Sequence, residues 1–163
     1  MTLLYQKLDS PVGAIYIATD GESLRVLAID KNNWRRLKSS FNQAKEKAHP
    51  ILSNTKQQLN EYFAHQRTHF DLPIHVDGTP FQVSAWNALL AIPYGETRNY
   101  SEQALMINNP NAVRAIGRSN GLNPISIIVP CHRVIGKSGK LTGYASGLKD
   151  KKYLIDLERK LAL

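Results

Sequence analysis

The chain has 163 residues, 42% of them apolar, and a formal net charge of +8. That length holds one domain or two small ones, and no run approaches the ~18 apolar residues of a membrane span. A single cysteine excludes an internal disulfide and any multi-cysteine zinc site, and suits a reducing compartment. The opening MTLLYQKLDS has no basic segment leading into a long apolar one, so no signal peptide is expected and a cytoplasmic location is read.

In chain order, TLLYQKL, AIYIAT and SLRVLAID read as strands, with turn signals at SPVG and DGES between them. WRRLKSSFNQAKEKA is mostly polar and reads as a solvent-facing helix. PILSNTKQQLNEYFAHQ opens on Pro50 and sets Ile51, Leu52, Leu59, Tyr62 and Phe63 near a 3.6 period, which predicts an amphipathic helix. FDLPIHV reads as a further short strand, and DGT at 77–79 as a linker.

The second region reads as more helical. Phe81, Ala85, Trp86, Leu89 and Leu90 form an apolar stripe that ends at IPYGE. A short helix is expected from Ser101, taken as its N-cap, to about Ile107. After the turn NNP, Asn109 can cap a helix with Pro110 at its first position, running NAVRAIGRS and stopping at NGLNP. Two short helices joined this way suggest a helix-turn-helix. ISIIV reads as a buried strand, LTGYASG as a loop, and about 149–161 as a last helix with Tyr153, Leu154, Leu157 and Leu161 on one side.

Charge is uneven along this pattern. From Arg98 to Lys149 seven Lys/Arg stand against one acid, Glu102. Such a surface favours polyanions through phosphate contact and counterion release, or it belongs to a basic protein with no such partner.

Cys131 lies in SIIVPCHRVIGK, after Pro130 and before His132 and Arg133. A thiolate is a soft nucleophile, and cationic or proton-accepting neighbours favour it. A lone cysteine after an apolar run is more often a buried small hydrophobe. Adjacent Cys and His on a regular strand would also point to opposite faces, although Pro130 argues against a central strand there. Glu158 lies four residues after Leu154 and three before Leu161, so it shares their face and needs a partner there. Two partners fit equally: His132, which the carboxylate would orient to take the thiol proton, or a cation such as Arg133. The helix NAVRAIGRS carries Ala112, Ala115 and Gly117 with Arg114 among them. Small residues either let it approach a backbone in a groove or pack into the core. His65, His69 and His75 lack the zinc-protease spacing and an acid ligand, and read as surface histidines.

PCHRVIG, preceded by RAIG and NPISIIV and followed by GYASGLKDKKYLIDLE, resembles the O6-alkylguanine-DNA alkyltransferases; TPFQVSAWNALLAIPYGETRNYS matches upstream. The likeness covers about 79–160 without a gap, is weaker in SPVGAIYIA, and points to the small bacterial form without a fused regulatory domain. It implies an α+β protein: a ribonuclease H-like sheet-and-helix domain over 1–77 and a winged-helix-like DNA-binding and catalytic domain over 78–163. It implies Cys131 as alkyl acceptor, His132 as its base through a bridging water, and Glu158 as the carboxylate orienting His132. Tyr100 would help protonate the departing guanine and crowd the adjacent phosphate. Asn123 would tie the turn after the recognition helix to the active-site strand. Arg114 would replace the flipped-out nucleotide, with Ser101, Ala112, Ala115 and Gly117 on the DNA side. Tyr144, Val134, Ala145 and Ser146 would line the guanine pocket, Ser146 standing where relatives often have Gly.

The implied function is irreversible single-turnover transfer from O6-alkylguanine, and O4-alkylthymine, in double-stranded DNA to Cys131. The chain is expected to act as a monomer without metal or cofactor. A damage-sensing DNA-binding protein without chemistry and a cysteine hydrolase are the other classes. Inactive relatives carry Trp at the acceptor position, and no oxyanion-hole motif is recognisable in the sequence.

Overall fold

The computed structural model describes residues 2–162, with side chains through Lys160. Its chain divides into two compact units, Met1–Val76 with Pro124–Ser126, and Asp77–Asn123 with Ile127–Leu163. The protein is mixed α+β, with the sheet in the first unit and most helices in the second.

In the first unit, β1 (Thr2–Ser10), β2 (Gly13–Thr19) and β3 (Leu24–Ile29) form an antiparallel meander. β4 (Gln43–Glu46) adds in parallel to β1, giving the order β3-β2-β1-β4. Alternation sends Leu3, Ala18, Val26 and Ala28 to one face. α1 (Lys31–Lys38) lies on that face through Trp34, whose ring is 5.0 Å from Tyr5 and 5.6 Å from Tyr16. α2 (Pro50–Phe63) packs against β1 and β2 with Leu52, Leu59 and Tyr62 buried. His49 caps α2 through Nδ1, and Pro50 takes its first position, where no N–H is needed.

Two expectations for this unit need correction. The single polar helix over 34–48 is a helix that ends at Lys38 and then a strand. Asn42 and Gln43 follow the helix end, and Ala44 turns inward beside Leu3 while its neighbours stay exposed, which is a strand's period of two. FDLPIHV forms no strand; Ile74 makes one isolated bridge to Leu24, because Pro73 has no N–H to extend the ladder.

In the second unit, α3 (Pro80–Leu90), α4 (Tyr100–Met106) and α5 (Val113–Gly121) close around Ala85, Ala104 and Ile116. Thr79 and Gln82 form a capping box on α3. The predicted stripe shifts by position: Ala88 is buried and Leu90 exposed. α4 is capped by Asn99, not Ser101, because Asn99 and Glu102 exchange side-chain and backbone bonds across the first turn. α5 begins at Val113 with Ala112 at its N-cap; Asn109 instead closes the preceding turn through its carbonyl to the Ala112 amide. A buried amide pair, Gln103 and Asn120, joins α4 to α5 at 2.8 and 3.0 Å, and Trp86 Nε1 donates to Ser119 O at 2.8 Å.

ISIIV is not a strand. Ile125 makes one isolated bridge to Leu27, and residues 126–128 are a turn, with Ile127 at φ 72°, a conformation costly for a β-branched residue. Cys131–Arg133 is one turn of 3-10 helix, and β6 (Val134–Ile135) pairs with β5 (Arg98–Asn99). α6 (Leu148–Ala162) buries Lys151, Leu154, Ile155, Leu157 and Glu158. Tyr153 is 38% exposed and off that face, since one residue before Leu154 it lies about 100° round the helix. The expected inward side chain of Leu161 lies outside the described residues. No described helix is long and apolar enough to cross a membrane.

Candidate active site

The 3-10 turn does what a strand could not. A strand would send Cys131 and His132 to opposite faces, whereas this tight turn buries Cys131, His132 and Arg133 together. The Arg133 amide closes it on Pro130 O at 3.0 Å. Asn123 anchors the preceding segment: its Nδ2 donates to Val129 O at 2.7 Å and to Cys131 Sγ at 3.2 Å.

Glu158 meets both partners the sequence left open. Its Oε2 is 2.5 Å from His132 Nε2, and Arg133 donates Nε to Oε1 at 2.8 Å and Nη2 to Oε2 at 3.2 Å. The Gly95 amide adds a bond to Oε1 at 3.3 Å. Arg133 is held from its other side by Ile92 O at 2.7 Å. Burial alone would raise the Glu158 carboxyl, but the charges and hydrogen bonds of His132 and Arg133 hold it well below the usual carboxylate range. Arg133 therefore answers much of the carboxylate's charge. Burial, with Arg133 and Lys151, keeps the His132 imidazole below its ordinary value against the pull of Glu158. A neutral imidazole beside a carboxylate donates through Nε2–H, which leaves Nδ1 as the acceptor. His132 Nδ1 is buried and has no protein hydrogen-bond partner.

Burial also raises the Cys131 thiol, opposed by the Asn123 bond, the Lys151 charge and a hydrogen bond from Tyr144. Lys151 is the residue the sequence reading missed. Its side chain is buried, and its Nζ donates to Thr142 O at 2.7 Å and Gly143 O at 3.2 Å and lies 3.5 Å from Tyr100 Oη. Burial lowers its ammonium to about 8, with the Cys131 thiolate pulling the other way. The signal was available: Lys151 stands three residues before Leu154 and seven before Glu158, so the helical argument that placed Glu158 inward places Lys151 there too.

Tyr100 joins this group through the loop: its hydroxyl donates to Thr142 O and accepts from Thr142 Oγ1, both at 3.1 Å. Val134 is buried, Ala145 exposed, and Ser146 half-buried with an Oγ that has no protein partner. Ser101 is half-buried in α4. On α5, Arg114 is exposed and Ala115 and Gly117 half-exposed, with open space where a Gly117 side chain would stand. Ala112 packs one side against the Ala85, Ala104 and Ile116 cluster, so core packing accounts for part of the small-residue pattern. Arg118, one turn beyond Arg114, is a second exposed cation on this helix.

A buried thiol next in the chain to a buried imidazole–carboxylate pair, in the same unit as a helix-turn-helix, is an arrangement suited to cysteine chemistry at a nucleic acid. The chain belongs to the 6-O-methylguanine DNA methyltransferase family: its residues 80–160 match the family's DNA binding domain and residues 3–76 its ribonuclease-like domain. The methylated-DNA–protein-cysteine methyltransferase of Mycobacterium bovis is 46% identical over 97% of this chain and 93% of its own length. The constitutive enzyme of that name from Bacillus subtilis is 42% identical over 95% and 94%. A Mycobacterium tuberculosis OGT solved in complex with DNA is 45% identical, with a TM-score of 0.87 over 97% of this chain and 94% of its own. These relatives favour neither the hydrolase nor the sensor without chemistry.

Proposed function

We propose that this protein repairs O6-alkylguanine in DNA by moving the alkyl group onto its own Cys131, once per molecule. The buried Cys131–His132–Glu158 arrangement carries the reading, on a chain whose relatives are named methylated-DNA–protein-cysteine methyltransferases. Duplex DNA is the partner, a reading supported by the relative solved in complex with DNA.

The geometry supports the following chemistry. Glu158 accepts a hydrogen bond from His132 Nε2–H, and Nδ1 accepts the thiol proton, with one water bridging where the two groups do not meet. Asn123 and the Lys151 cation stabilise the thiolate as it forms. Sulfur attacks the alkyl carbon, an S–C bond forms as C–O6 breaks, and guanine leaves with the electron pair on O6. Tyr100 delivers a proton to the departing base, with Lys151 beside its hydroxyl. Dealkylating the thioether would have to expel a thiolate from an unactivated alkyl carbon, so the acceptor is consumed.

A stacked base cannot reach a buried sulfur and must be flipped. Arg114 fills the space it leaves, while Ser101, Ala112, Ala115 and Gly117 give the helix pair a small-residue surface towards the backbone. Tyr144, Val134, Ala145 and Ser146 line the pocket, and Ser146 narrows it against large adducts. The same pocket serves O4-alkylthymine. The protein works in the cytoplasm.

The test separates flipping from chemistry. Arg114→Ala should slow repair of duplex O6-methylguanine roughly tenfold or more, since part of a flipping cost of a few kcal/mol is no longer offset. Its reaction with free O6-benzylguanine should stay near wild type. Equal losses on both substrates would remove Arg114 from the flipping role.

A further inference from the structure

The second unit matches the family's DNA binding domain, but a separate concentration of positive charge lies in the first. Residues 31–47 hold six Lys/Arg against one acid, Glu46. Four of these cations, Lys31, Arg35, Arg36 and Lys38, are on α1, and all four are exposed. Trp34 and Leu37 turn to the sheet, so at 100° per residue the outward arc of α1 consists of these cations and Asn32. None of the four makes an ion pair among the described residues; Lys38 stacks over Trp34 with its Nζ 5.9 Å from the ring. Asp30, the one acid adjoining the helix, is committed to capping it through the Asn33 amide.

Helix stability accounts for only part of this pattern. Arg35, Arg36 and Lys38 in the last turn suit the helix dipole, but Lys31 opens the helix, where the dipole favours an acid. A row of mutually repelling, unpaired cations on a rigidly seated helix is complementary to a line of phosphates. An eight-residue helix is about 12 Å long, and phosphates along one DNA strand recur every ~3.4 Å of helix axis, so α1 can reach several at once.

We propose that the outward face of α1 is a second DNA-binding surface, contacting the phosphate backbone without reading sequence. The choice of DNA over another polyanion rests on the repair reading above. Phosphate contacts of this kind hold affinity and orientation and carry no base preference, which suits a protein whose target lesion can occur anywhere.

The test uses the full chain with Lys31→Gln, Arg35→Gln and Arg36→Gln combined; Lys38 is kept because it packs on Trp34. Binding to an undamaged duplex is measured by fluorescence anisotropy across a salt series. Each phosphate contact removed lowers the log–log salt slope by about 0.9, so the triple variant should flatten it by roughly 2 to 3 and bind more weakly at every salt. Circular dichroism should show the wild-type fold, and transfer from free O6-benzylguanine should be unchanged. An unchanged slope and affinity would overturn the proposal, as would unchanged DNA binding with lost co-sedimentation on anionic phospholipid vesicles. Failure of the repair reading shows separately, as absence of transfer by the wild-type protein.

Discussion

The sheet of the first unit and the 3-10 turn of the second bury their residues on opposite principles. The sheet core is mainly apolar: Leu3, Ile15, Ile17, Val26 and Leu27 are fully buried, β3 is buried along its whole length, and its one buried cation, Arg25, is paired with Asp20. The turn buries Asn123, His132, Arg133, Lys151 and Glu158, all of them polar or charged. Burying apolar surface is favourable wherever it happens, at roughly 25 cal/mol per Å². Burying ions is costly unless each finds its partner, and replacing them by apolar groups is often neutral or better for stability. The difference teaches that apolar burial suffices to hold the shape of the first region, whereas the second holds a charge pattern that is costly for stability, which the proposed chemistry accounts for.

The sharpest way to break this comparison is Glu158→Gln. It leaves Arg133 buried without its anion and His132 without its orienting partner, and loss of one member of a buried pair costs about 3–5 kcal/mol. Single-turnover transfer should also slow by about 10² or more, the scale of general acid–base assistance. Urea unfolding and rapid-quench kinetics measure the two effects. Leu59→Ala is the counterpart in the first unit. It should cost about 2–5 kcal/mol, yet leave the transfer rate of the folded fraction unchanged. If Leu59→Ala slowed transfer as Glu158→Gln does, the division of labour would be wrong.

Lys151→Met is a smaller and more specific change. It removes the cation that favours the thiolate, so the pH–rate profile should move to higher pH and transfer near neutrality should slow. A uniform loss with an unmoved profile would mark Lys151 as a purely structural latch for Thr142 and Gly143.

Acid should have the mildest effect at first. The folded His132 imidazole is held below its ordinary 6.5, so as pH falls through that value the unfolded chain takes up the proton first and stability drops. The depressed Glu158 carboxyl adds a second loss below its ordinary 4.5. Melting temperature should therefore decline from neutral pH towards 4, and His132→Gln should remove the upper part of that decline. A flat profile above pH 5 in the wild type would contradict a neutral buried His132.

The same contrast decides what could be read in advance. The three first strands and α2 follow from side-chain periods, because apolar burial leaves a period in the sequence. β4 was hidden: QAKE has one inward residue, Ala44, and only pairing with β1 makes it a strand. ISIIV was misread because its apolar residues signal burial and not backbone shape, and a turn with Ile127 at φ 72° buries them as well as a strand does. In the site, helical spacing turned Glu158 inward and Pro130 argued against a strand at Cys131 and His132, but the residues alone still allowed an inert buried thiol, and only the family resemblance gave the three their roles. Arg133 was undecided, since one carboxylate serving two partners leaves no trace in spacing. Lys151 was missed because a lysine is assumed to be solvated until the same face is shown to hold Glu158.

The central claim is that this buried charge pattern exists to make Cys131 accept an alkyl group from DNA. The direct measurement is the intact mass of the protein, with peptide mapping, after incubation with a duplex containing O6-methylguanine. The account predicts a gain of one methylene on Cys131, stopping at one per molecule and absent in Cys131→Ser. An unchanged mass of the wild-type protein, or a methyl group carried on any other residue, would contradict it.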